Sequence, residues 1–438
     1  MNHNPSPSPI VIAYGLRLPQ ARAGGAFKNE DAAHLGARLV REVLARTNID
    51  ANEIGQVFTG CAGPPSDQAN VSRVLALRAG IPEHVPAVTL ARNCASGMEA
   101  VTNAATWIKA GEGDLAICVG VEVMSRYPLM FNRKMTGLFS QLMTSRSAIG
   151  KLKALSKFRL SHLAPVVGIT EGLTDSVSGM LMGNTAELLA RDFGISRAES
   201  DGYACRSHER ARDARERGRF TEEILPHLAI GSKAGAGALL HDDSIRDQQT
   251  VEALAKMRPY FEKPDGTVTI GNSCGITDSA TALIVTTEER ARSLGLEPLA
   301  RLRSFAWAGL DPKRMGLGPV HATAKALTKA GCELSDIGAI ELNEAFAVQV
   351  LACKKAFESD DFAREHLGRD RAVGELDLGI TNKNGGAIAL GHPVGATGAR
   401  IILTAAHELR ESNCELSLAT LCIGGGQGGA VILERMAS

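Results

Sequence analysis

Four residues that could carry out acyl chemistry stand in separate parts of the sequence. Cys94 lies in "ARNCASGMEA", where an apolar run gives way to a helical pattern, and Asn343 opens "NEAF" at the end of another apolar run. His392 lies in "GHPVGATG", and Cys422 precedes three glycines in "LCIGGGQGG". These side chains could supply a nucleophile, a base, a proton-carrying thiol and a group that positions a water. The set suits acyl transfer through a thioester.

Cys94 and His392 each have two interpretations. A cysteine where a loop enters a helix lies near backbone N–H groups and the positive end of the helix dipole, which lower the pKa of the thiol. Taken alone, a cysteine beside an apolar strand is more often a core residue. His392 is expected on a turn whose small neighbours cannot bury it, where a histidine is more often a surface or structural residue. The chemical interpretation of both depends on their meeting in space.

Strands and helices alternate along the part of the chain that would position these residues. The pattern predicts a strand at 10–19, a helix at 31–50, a strand at 53–61, a helix at about 95–110 and a strand at 115–122. Such alternation favours a parallel sheet covered by helices. Sites in open α/β folds lie at the carboxyl ends of strands, where we expect the four residues.

The last third of the chain repeats part of the first. "SDIGAIELNEAF" (335–346) parallels "NEIGQVFTGC", and "LSLATLCIGGG" (416–426) parallels "LAICVGVEVMS". We interpret this similarity as an internal duplication. Alternating β-branched residues in 266–289 predict strands that could complete the first copy.

Composition limits the kinds of partner and compartment. The 438 residues predict two or three domains, and 48 basic against 48 acidic residues give no general attraction for nucleic acid. Nine scattered cysteines without a C-x-x-C pair indicate reduced thiols rather than disulfides or a zinc site. No apolar run reaches 18 residues, so we expect a cytoplasmic protein that does not span a membrane. A Pro/Ser-rich tail at 1–9 is expected to be disordered.

Residues 126–170 form a basic, apolar stretch without Asp or Glu. Leu152, Leu155 and Leu163 are expected on one face, with lysines elsewhere, as in a helix that lies at a membrane surface. The alternative is a solvated insertion whose leucines pack on the domain below. The cations are Arg126, Arg133, Lys134, Arg146, Lys151, Lys153, Lys157 and Arg159.

The motifs "NCASG", "NEAF", "GHPVGATGAR" and "CIGGGQG", in this order, resemble the thiolase family over residues 10–435. "SKFRLSHLAP" and "TVTIGNS" resemble more narrowly the thiolase subunit of the fatty-acid trifunctional enzymes. The resemblance implies an α/β protein with a duplicated α-β-α-β-α thiolase fold and an inserted loop domain. It implies an N-terminal half at 1–125 completed by 259–292, a loop domain at 126–258 and a C-terminal half at 293–438.

The resemblance also implies a role for each motif. Cys94 would be the acylated nucleophile, His392 its base, and Cys422 the carrier of a proton to or from the acetyl-CoA α-carbon or the CoA thiol. Asn343 would hold a water that forms one oxyanion hole with His392. The backbone N–H groups of Cys94 and Gly424 would form the other.

Substrate contacts are implied at Met182, Ser273, Cys274 and Phe346. Cys274 stands where many relatives have a serine near the CoA pantetheine. Asn343 replaces the histidine that is usual in trifunctional-type thiolases and matches the short-chain and degradative enzymes. These departures make the preferred acyl chain length the weakest expectation.

The implied function is acetyl-CoA C-acyltransferase activity, the cleavage of 3-ketoacyl-CoA with CoA in β-oxidation. The alternative reaction is acetoacetyl-CoA formation by an acetyl-CoA C-acetyltransferase. CoA enters as a substrate, and no metal or redox cofactor is required. The expected ligands are acyl-CoA and CoA, and the chain is expected to form a homodimer or homotetramer. Further expected partners are a hydratase/dehydrogenase subunit and, through 126–170, a membrane surface.

Three other classes of protein share some of these features. Gly424, Gly426 and Gly429 spell G-x-G-x-x-G, but only nine residues follow, too few for a dinucleotide fold. A decarboxylating ketoacyl synthase would have no use for Cys422. A non-catalytic scaffold that docks through the basic insertion gives no reason to keep the two cysteines and the histidine together.

Overall fold

The computed structural model describes residues 8–232 and 237–436, so most of the predicted N-terminal tail lies outside the described residues. The strands are β1 (Ile10–Arg17), β2 (Ala21–Arg22), β3 (Gln56–Gly60), β4 (Ala87–Leu90), β5 (Leu115–Val123), β6 (Leu129–Phe131), β7 (Pro165–Val167), β8 (Thr277–Thr287), β9 (Ala300–Gly309), β10 (Ile337–Leu342), β11 (Leu416–Ile423) and β12 (Gln427–Glu434). The helices are α1 (Ala32–Thr47), α2 (Val71–Ala79), α3 (Ser96–Lys109), α4 (Arg133–Thr144), α5 (Ala148–Leu155), α6 (Gly168–Gly172), α7 (Met182–Asp192), α8 (Arg197–Glu216), α9 (Val251–Ala255), α10 (Glu288–Ser293), α11 (Gly318–Ala330), α12 (Ala347–Phe357), α13 (Asp360–Phe362), α14 (Ala387–Leu390) and α15 (Val394–Glu411).

The sheet has the same strand order in both halves of the chain. In the N-terminal half the order is β4-β3-β5-β8-β1, and in the C-terminal half β10-β11-β12-β9, extended beyond β10 by a parallel bridge between Ile340 and Thr381. In the N-terminal half β4, β3 and β5 run parallel, and in the C-terminal half the Thr381 bridge, β10 and β11 do; the last two strands of each half pair antiparallel to their neighbours. The predicted duplication is therefore confirmed in the topology.

The two halves join where β1 and β9 pair antiparallel through Val11 with Arg301 and Ile12 with Ala300. The expected parallel pairing holds for β4-β3-β5 and β10-β11, whereas the other strands pair antiparallel. In the C-terminal half, β12 returns from β11 through a tight glycine turn and so must run antiparallel to it. Only 277–287 of the predicted strand region 266–289 forms a long strand. That strand lies between β1 and β5 in the N-terminal half.

The predicted helices begin and end close to the expected positions. Asp31 caps α1 by accepting a hydrogen bond from the His34 backbone N–H at 2.9 Å, and the helix buries Leu35, Leu39 and Val43. Helix α1 packs on α2 and on the N-terminal strands, while α11 covers β9 and β12 of the C-terminal half. These helices form the outer layers.

Helices α3 and α15 form the layer between the two halves, and they cross almost without side chains between them. A Cβ atom placed on Gly398 would lie 2.5 Å from the Met98 backbone nitrogen, and one on Gly97 would lie 2.8 Å from the Ala399 nitrogen. Only glycine allows backbones to approach this closely. Helix α3 begins two residues after Cys94, so this crossing sets the position of that cysteine.

The inserted segment between β5 and β8 carries most of the remaining helices. In its first part, β6 and β7 pair antiparallel, and α4 and α5, which lie between them in the chain, pack on each other. Its later part is held to β1 by Arg17, which is fully buried and bonds Glu223 at 2.8 Å and Asp242 at 2.7 Å. The insertion is thus anchored to the core at its return.

We expect Gly398→Ala to lower the free energy of unfolding by about 1–3 kcal/mol, because the added methyl group would overpack the α3–α15 crossing. Urea unfolding followed by circular dichroism measures the change. Gly202→Ala on α8 is the matched control, since a Cβ there meets no atom within 4 Å. That control should be neutral or stabilising by up to about 1 kcal/mol. Equal effects of the two substitutions would contradict the close crossing.

Candidate active site

A cavity of about 510 Å³ opens between the two halves and the inserted segment. Three of the residues predicted from the sequence line it: Cys94, Met182 and Gly424. Tyr127 and Pro128, at the start of the insertion, form part of the wall. The other predicted residues do not line this cavity, so their places are described below from their own contacts.

Cys94 lies in a 3-10 turn, Asn93–Ala95, directly before α3, and its side chain is half-buried. Burial raises the pKa of its thiol above that of an ordinary cysteine, while the N–H groups of Gly424 and of Cys94 itself oppose that shift. The expected lowering of this pKa is therefore wrong in the free protein. Desolvation outweighs the two N–H groups, so the resting group is a thiol.

His392 is buried, contrary to the expectation from its small neighbours. Its Nδ1 lies 2.7 Å from Thr397 Oγ1, and that hydroxyl donates to the Pro393 carbonyl at 3.1 Å. Because the hydroxyl proton is used, Nδ1 must be the donor to Thr397, which leaves the lone pair on Nε2. Burial and then Arg400 lower the pKa of His392 to about 4. The imidazole is neutral at pH 7, with Nε2 able to accept a proton.

Cys422 is the penultimate residue of β11 and is buried. Burial raises the pKa of its thiol well above the ordinary value. The neighbouring thiols of Cys94, Cys353 and Cys274 raise it further. Cys274 belongs to the same group, because burial and then Cys94 raise its pKa to about 12. The structure therefore brings Cys94, Cys422 and Cys274 together as protonated thiols.

Backbone contacts join the segments that carry Ser273, Cys274, Phe346 and His392. The Cys274 N–H donates to the Ala345 carbonyl at 3.1 Å, and Ser273 pairs with Phe346 in an antiparallel bridge. The His392 N–H donates to the carbonyl of Gly275, the residue after Cys274, at 2.9 Å. Ser273 Oγ itself donates to the Thr269 carbonyl at 2.6 Å. Its hydroxyl is thus engaged within its own turn.

Asn343 follows β10 directly and is buried. Among the described residues, neither atom of its side-chain amide has a hydrogen-bond partner, and His392 Nε2 also lacks one. Buried polar atoms are almost always paired, so such atoms indicate a water or a ligand at the site. Both residues were expected to contact such a group.

Glu344, the second residue of "NEAF", holds this region together, a role that the sequence did not reveal. Its carboxylate accepts hydrogen bonds from Tyr203 Oη at 3.0 Å, Ser207 Oγ at 2.7 Å, Asn382 Nδ2 at 2.9 Å and the Ile388 N–H at 3.2 Å. These partners come from α8 and from the segment that leads to the candidate histidine. A buried carboxylate with four donors fixes that segment against the end of β10.

Glu122, near the end of β5, is a second such residue. It accepts from the backbone N–H groups of Ala62 at 2.9 Å, Gly63 at 3.1 Å and Gly395 at 2.9 Å, and from Tyr127 Oη at 3.0 Å. Burial raises the pKa of this carboxyl group. The contacts join the cavity wall to the first turn of α15. In the sequence, only the position of this charged residue in an apolar strand indicates a structural role.

The strand-end expectation holds for part of the site. Asn343 follows β10 and Cys422 lies at the end of β11, while Cys94 comes four residues after β4. His392 follows the short helix α14 rather than a strand. After the bridge at Thr381 the chain runs through a turn and α14 before it reaches His392. No periodic pattern in the sequence predicts this path.

The protein thus has the features of an α/β acyl-transfer enzyme: a thiol at a cavity, a neutral imidazole with a free lone pair, and a second buried thiol. Two family comparisons agree with this class. The thiolase N-terminal domain matches residues 10–289, and the thiolase C-terminal domain matches residues 296–435. The chain belongs to the thiolase family and is an acyltransferase.

Individual relatives cover nearly the whole chain. A 3-ketoacyl-CoA thiolase of Yersinia pestis (strain Pestoides F) is 40% identical over 426 residues, which are 97% of this chain and 96% of the relative. The Bacillus anthracis acetyl-CoA acetyltransferase structure is 35% identical with a TM-score of 0.85, covering 98% and 100% of the two chains. The human mitochondrial 3-ketoacyl-CoA thiolase in complex with CoA is 33% identical, with a TM-score of 0.84 and 98% coverage of both chains.

The described part of the chain lacks two further features. No helix within residues 8–232 and 237–436 is long and apolar enough to cross a membrane. The same residues contain no group of three His, Cys, Asp or Glu side chains arranged to hold a metal ion. All nine cysteines are free.

We expect ¹⁵N NMR of His392 to show a protonated Nδ1 and an unprotonated Nε2. The spectrum should not change between pH 6 and 8, because a pKa of about 4 leaves the ring neutral throughout that range. Thr397→Val removes the acceptor of the Nδ1–H bond and should shift population to the Nε2–H form. Thr328→Val, which removes a similar hydroxyl-to-backbone bond on α11, is the control. An unprotonated Nδ1 in the unsubstituted protein would contradict the assignment.

Proposed function

We propose that the protein is an acetyl-CoA C-acyltransferase that cleaves 3-ketoacyl-CoA with CoA to acetyl-CoA and a shortened acyl-CoA, in fatty-acid β-oxidation. The main support is Cys94 at the cavity, with the Cys422 thiol near it and the neutral His392 bonded through its backbone to Gly275, the residue after Cys274. The full-length similarity to the Yersinia 3-ketoacyl-CoA thiolase favours this substrate class.

The first half-reaction breaks the bond between C2 and C3 of the substrate. His392 Nε2 takes the proton of the Cys94 thiol, and the sulfur attacks the C3 carbonyl carbon. The C2–C3 electron pair leaves as the enolate of acetyl-CoA, and the Cys422 thiol gives its proton to C2. Acetyl-CoA departs, and the shortened acyl group remains on Cys94 as a thioester.

The second half-reaction returns the acyl group to CoA. The Cys422 thiolate takes the proton of the incoming CoA thiol, whose sulfur attacks the acyl carbonyl carbon. The tetrahedral intermediate expels the Cys94 sulfur, which regains a proton from His392. The product is the shortened acyl-CoA, and each side chain returns to its starting protonation state.

Two oxyanion sites fit these steps. Negative charge on the oxygen attached to the attacked carbon would meet the backbone N–H groups of Cys94 and Gly424. The enolate oxygen of acetyl-CoA would meet His392 and a water held by Asn343, whose amide is buried without a partner among the described residues. Preorganised donors of this kind are worth about 3 kcal/mol each in comparable sites.

The remaining family expectations belong to the same proposal. Met182 lines the cavity beside Cys94, where the acyl chain would lie, and Cys274 and Phe346 would stand behind the reacting thioester with Ser273. We propose domain boundaries at 1–125 with 259–292, 126–258 and 293–438. A homodimer or homotetramer and a hydratase/dehydrogenase partner subunit stay predictions from the family resemblance.

We expect Cys94→Ala to abolish the acyl-enzyme and to lower kcat by more than about 10⁴-fold, because the substitution removes the sulfur that forms the thioester in the proposed mechanism. Cys422→Ala should lower kcat by about 10²–10⁴-fold while a labelled acyl group still forms on Cys94. Mass spectrometry of protein quenched after mixing with 3-ketoacyl-CoA measures both.

The matched control is Cys332→Ala, a half-buried cysteine outside the thiol group, which should keep full activity. An acyl group on a residue other than Cys94 would overturn the proposed mechanism. Normal turnover by Cys422→Ala would remove that thiol from it.

A second reaction, acetoacetyl-CoA formation from two acetyl-CoA, is favoured by the match to the Bacillus acetyl-CoA acetyltransferase and by Asn343. A series of kcat/KM values for 3-ketoacyl-CoA of four to sixteen carbons separates the two. A kcat/KM that falls steeply beyond four carbons would support acetoacetyl-CoA formation. A kcat/KM that rises with chain length would support the cleavage of longer 3-ketoacyl-CoA.

We also propose that residues 126–170 bind an anionic lipid surface. The alternative that the leucines pack on the domain below is wrong for Leu152 and Leu163, which are 69% and 57% exposed. Met143 and Ile149 are more than four-fifths exposed. These apolar side chains belong to a stretch of sequence, 126–170, that has eight cations and no carboxylate. That combination complements negatively charged lipid.

The position of this surface fits an acyl substrate. Strand β6 contributes Met130 to the cavity wall, while its neighbours Leu129 and Phe131 are exposed on the basic surface. The cavity and the proposed lipid contact are therefore continuous.

We expect co-sedimentation with phosphatidylcholine vesicles that contain phosphatidylglycerol, but weak binding to phosphatidylcholine alone. Replacing Lys151, Lys153, Lys157 and Arg159 with glutamine should weaken binding at least about tenfold, since each cation contributes about 1 kcal/mol near such a surface. The control replaces four exposed cations elsewhere, namely Lys28, Arg38, Lys313 and Lys325. Equal binding by the two variants, or binding to a hydratase/dehydrogenase subunit without binding to vesicles, would contradict the proposal.

A further inference from the structure

Two adjacent side chains tie the segment that carries the candidate nucleophile to the glycine turn after β11. Asn93 Nδ2 donates to the Gly424 carbonyl at 2.8 Å. Arg92 Nη1 donates to Gln427 Oε1 at 2.8 Å, at the other end of the same turn. These bonds join the N-terminal and C-terminal halves across the cavity.

The backbone of Asn93 has a left-handed conformation, with φ at 45°. Residues other than glycine rarely adopt it, and asparagine is among those that do so most readily. The Asn93 carbonyl accepts a hydrogen bond from Ser96 Oγ at 2.7 Å, in the first turn of α3. Asn93 is therefore fixed on both sides, with its backbone starting the helix and its amide reaching across to Gly424.

The glycine turn is held on its β12 side, where the Gly426 carbonyl accepts a hydrogen bond from the Leu310 N–H at 2.8 Å. Gly425 and Gly426 have φ values of 90° and 80°, and a Cβ on Gly425 would meet no atom within 4 Å. Glycine backbones have more conformational freedom than those of other residues, so each contact narrows the positions that the turn can take. The bond from Asn93 adds a contact on the β11 side, at Gly424, whose N–H points to Cys94.

We propose that Asn93 is a positioning residue that holds the Gly424 N–H in the orientation needed to stabilise charge at Cys94. The inference rests on the proposed function, in which that N–H forms an oxyanion site. An oxyanion donor contributes only if it is already aimed at the position where charge develops. A displaced donor should therefore slow the chemical step more than it weakens substrate binding.

Two substitutions distinguish the effect of the Asn93 amide from the effect of its backbone conformation. Asn93→Gly keeps the left-handed conformation accessible and removes the amide, and Asn93→Asp keeps the size but cannot donate to the Gly424 carbonyl. Removal of a whole oxyanion donor costs about 10²–10³-fold, so we expect the misplaced donor to lower kcat about 10–100-fold with KM within about threefold. Alkylation of Cys94 by iodoacetamide at pH 8 should also slow about 3–10-fold, because the N–H group favours the thiolate.

The control is Asn48→Gly, an exposed asparagine with φ at 52° at the end of α1, which should keep full activity. Unchanged kcat and alkylation rate in either folded Asn93 variant would overturn the proposal. So would loss of folding in both variants, because the bond would then be structural. If the unsubstituted protein forms no acyl-enzyme, the proposed function fails, while the alkylation comparison still tests the role of Asn93.

Discussion

The crossing of α3 and α15 is the contact on which the rest of the structure depends. Helix α3 begins two residues after Cys94, and α15 begins two residues after His392, so the crossing fixes the separation of both groups. Glycine at Gly97 and Gly398 brings the two backbones together without intervening side chains. Reaction rates are sensitive to displacements of about 1 Å, so a rigid backbone contact suits this task better than flexible side chains do.

Burial then decides the protonation state of every reactive group. The thiols of Cys94 and Cys422 have raised pKa values and the imidazole of His392 a lowered one, so all three are neutral in the free protein. Moving one proton from sulfur to Nε2 creates a pair of opposite charges in a site of low polarity. In the proposed mechanism the donors around that site, including the Gly424 N–H, make the transfer feasible when a substrate is bound.

The sequence predicted the parts of this arrangement that depend on local pattern. Helix α1, helix α3 and the duplicated strand order follow from periodicity and repeats, and four short motifs identified the family. Other features depend on elements far apart in the chain and could not be predicted from it. Burial of His392 requires packing by segments that come from several parts of the chain. The pKa of Cys94 depends on desolvation, which the turn before a helix does not reveal, and Glu344 finds its four partners only after folding.

The protonated state of the thiols also affects how the protein without substrate reacts with electrophiles and peroxides. Electrophiles and peroxides attack thiolates far faster than thiols, so a nucleophile that stays protonated without substrate is chemically quiet. In the proposed mechanism the same cysteine becomes reactive only while an acyl-CoA occupies the cavity. Desolvation would then protect the sulfur between turnovers and leave it reactive only toward the bound thioester.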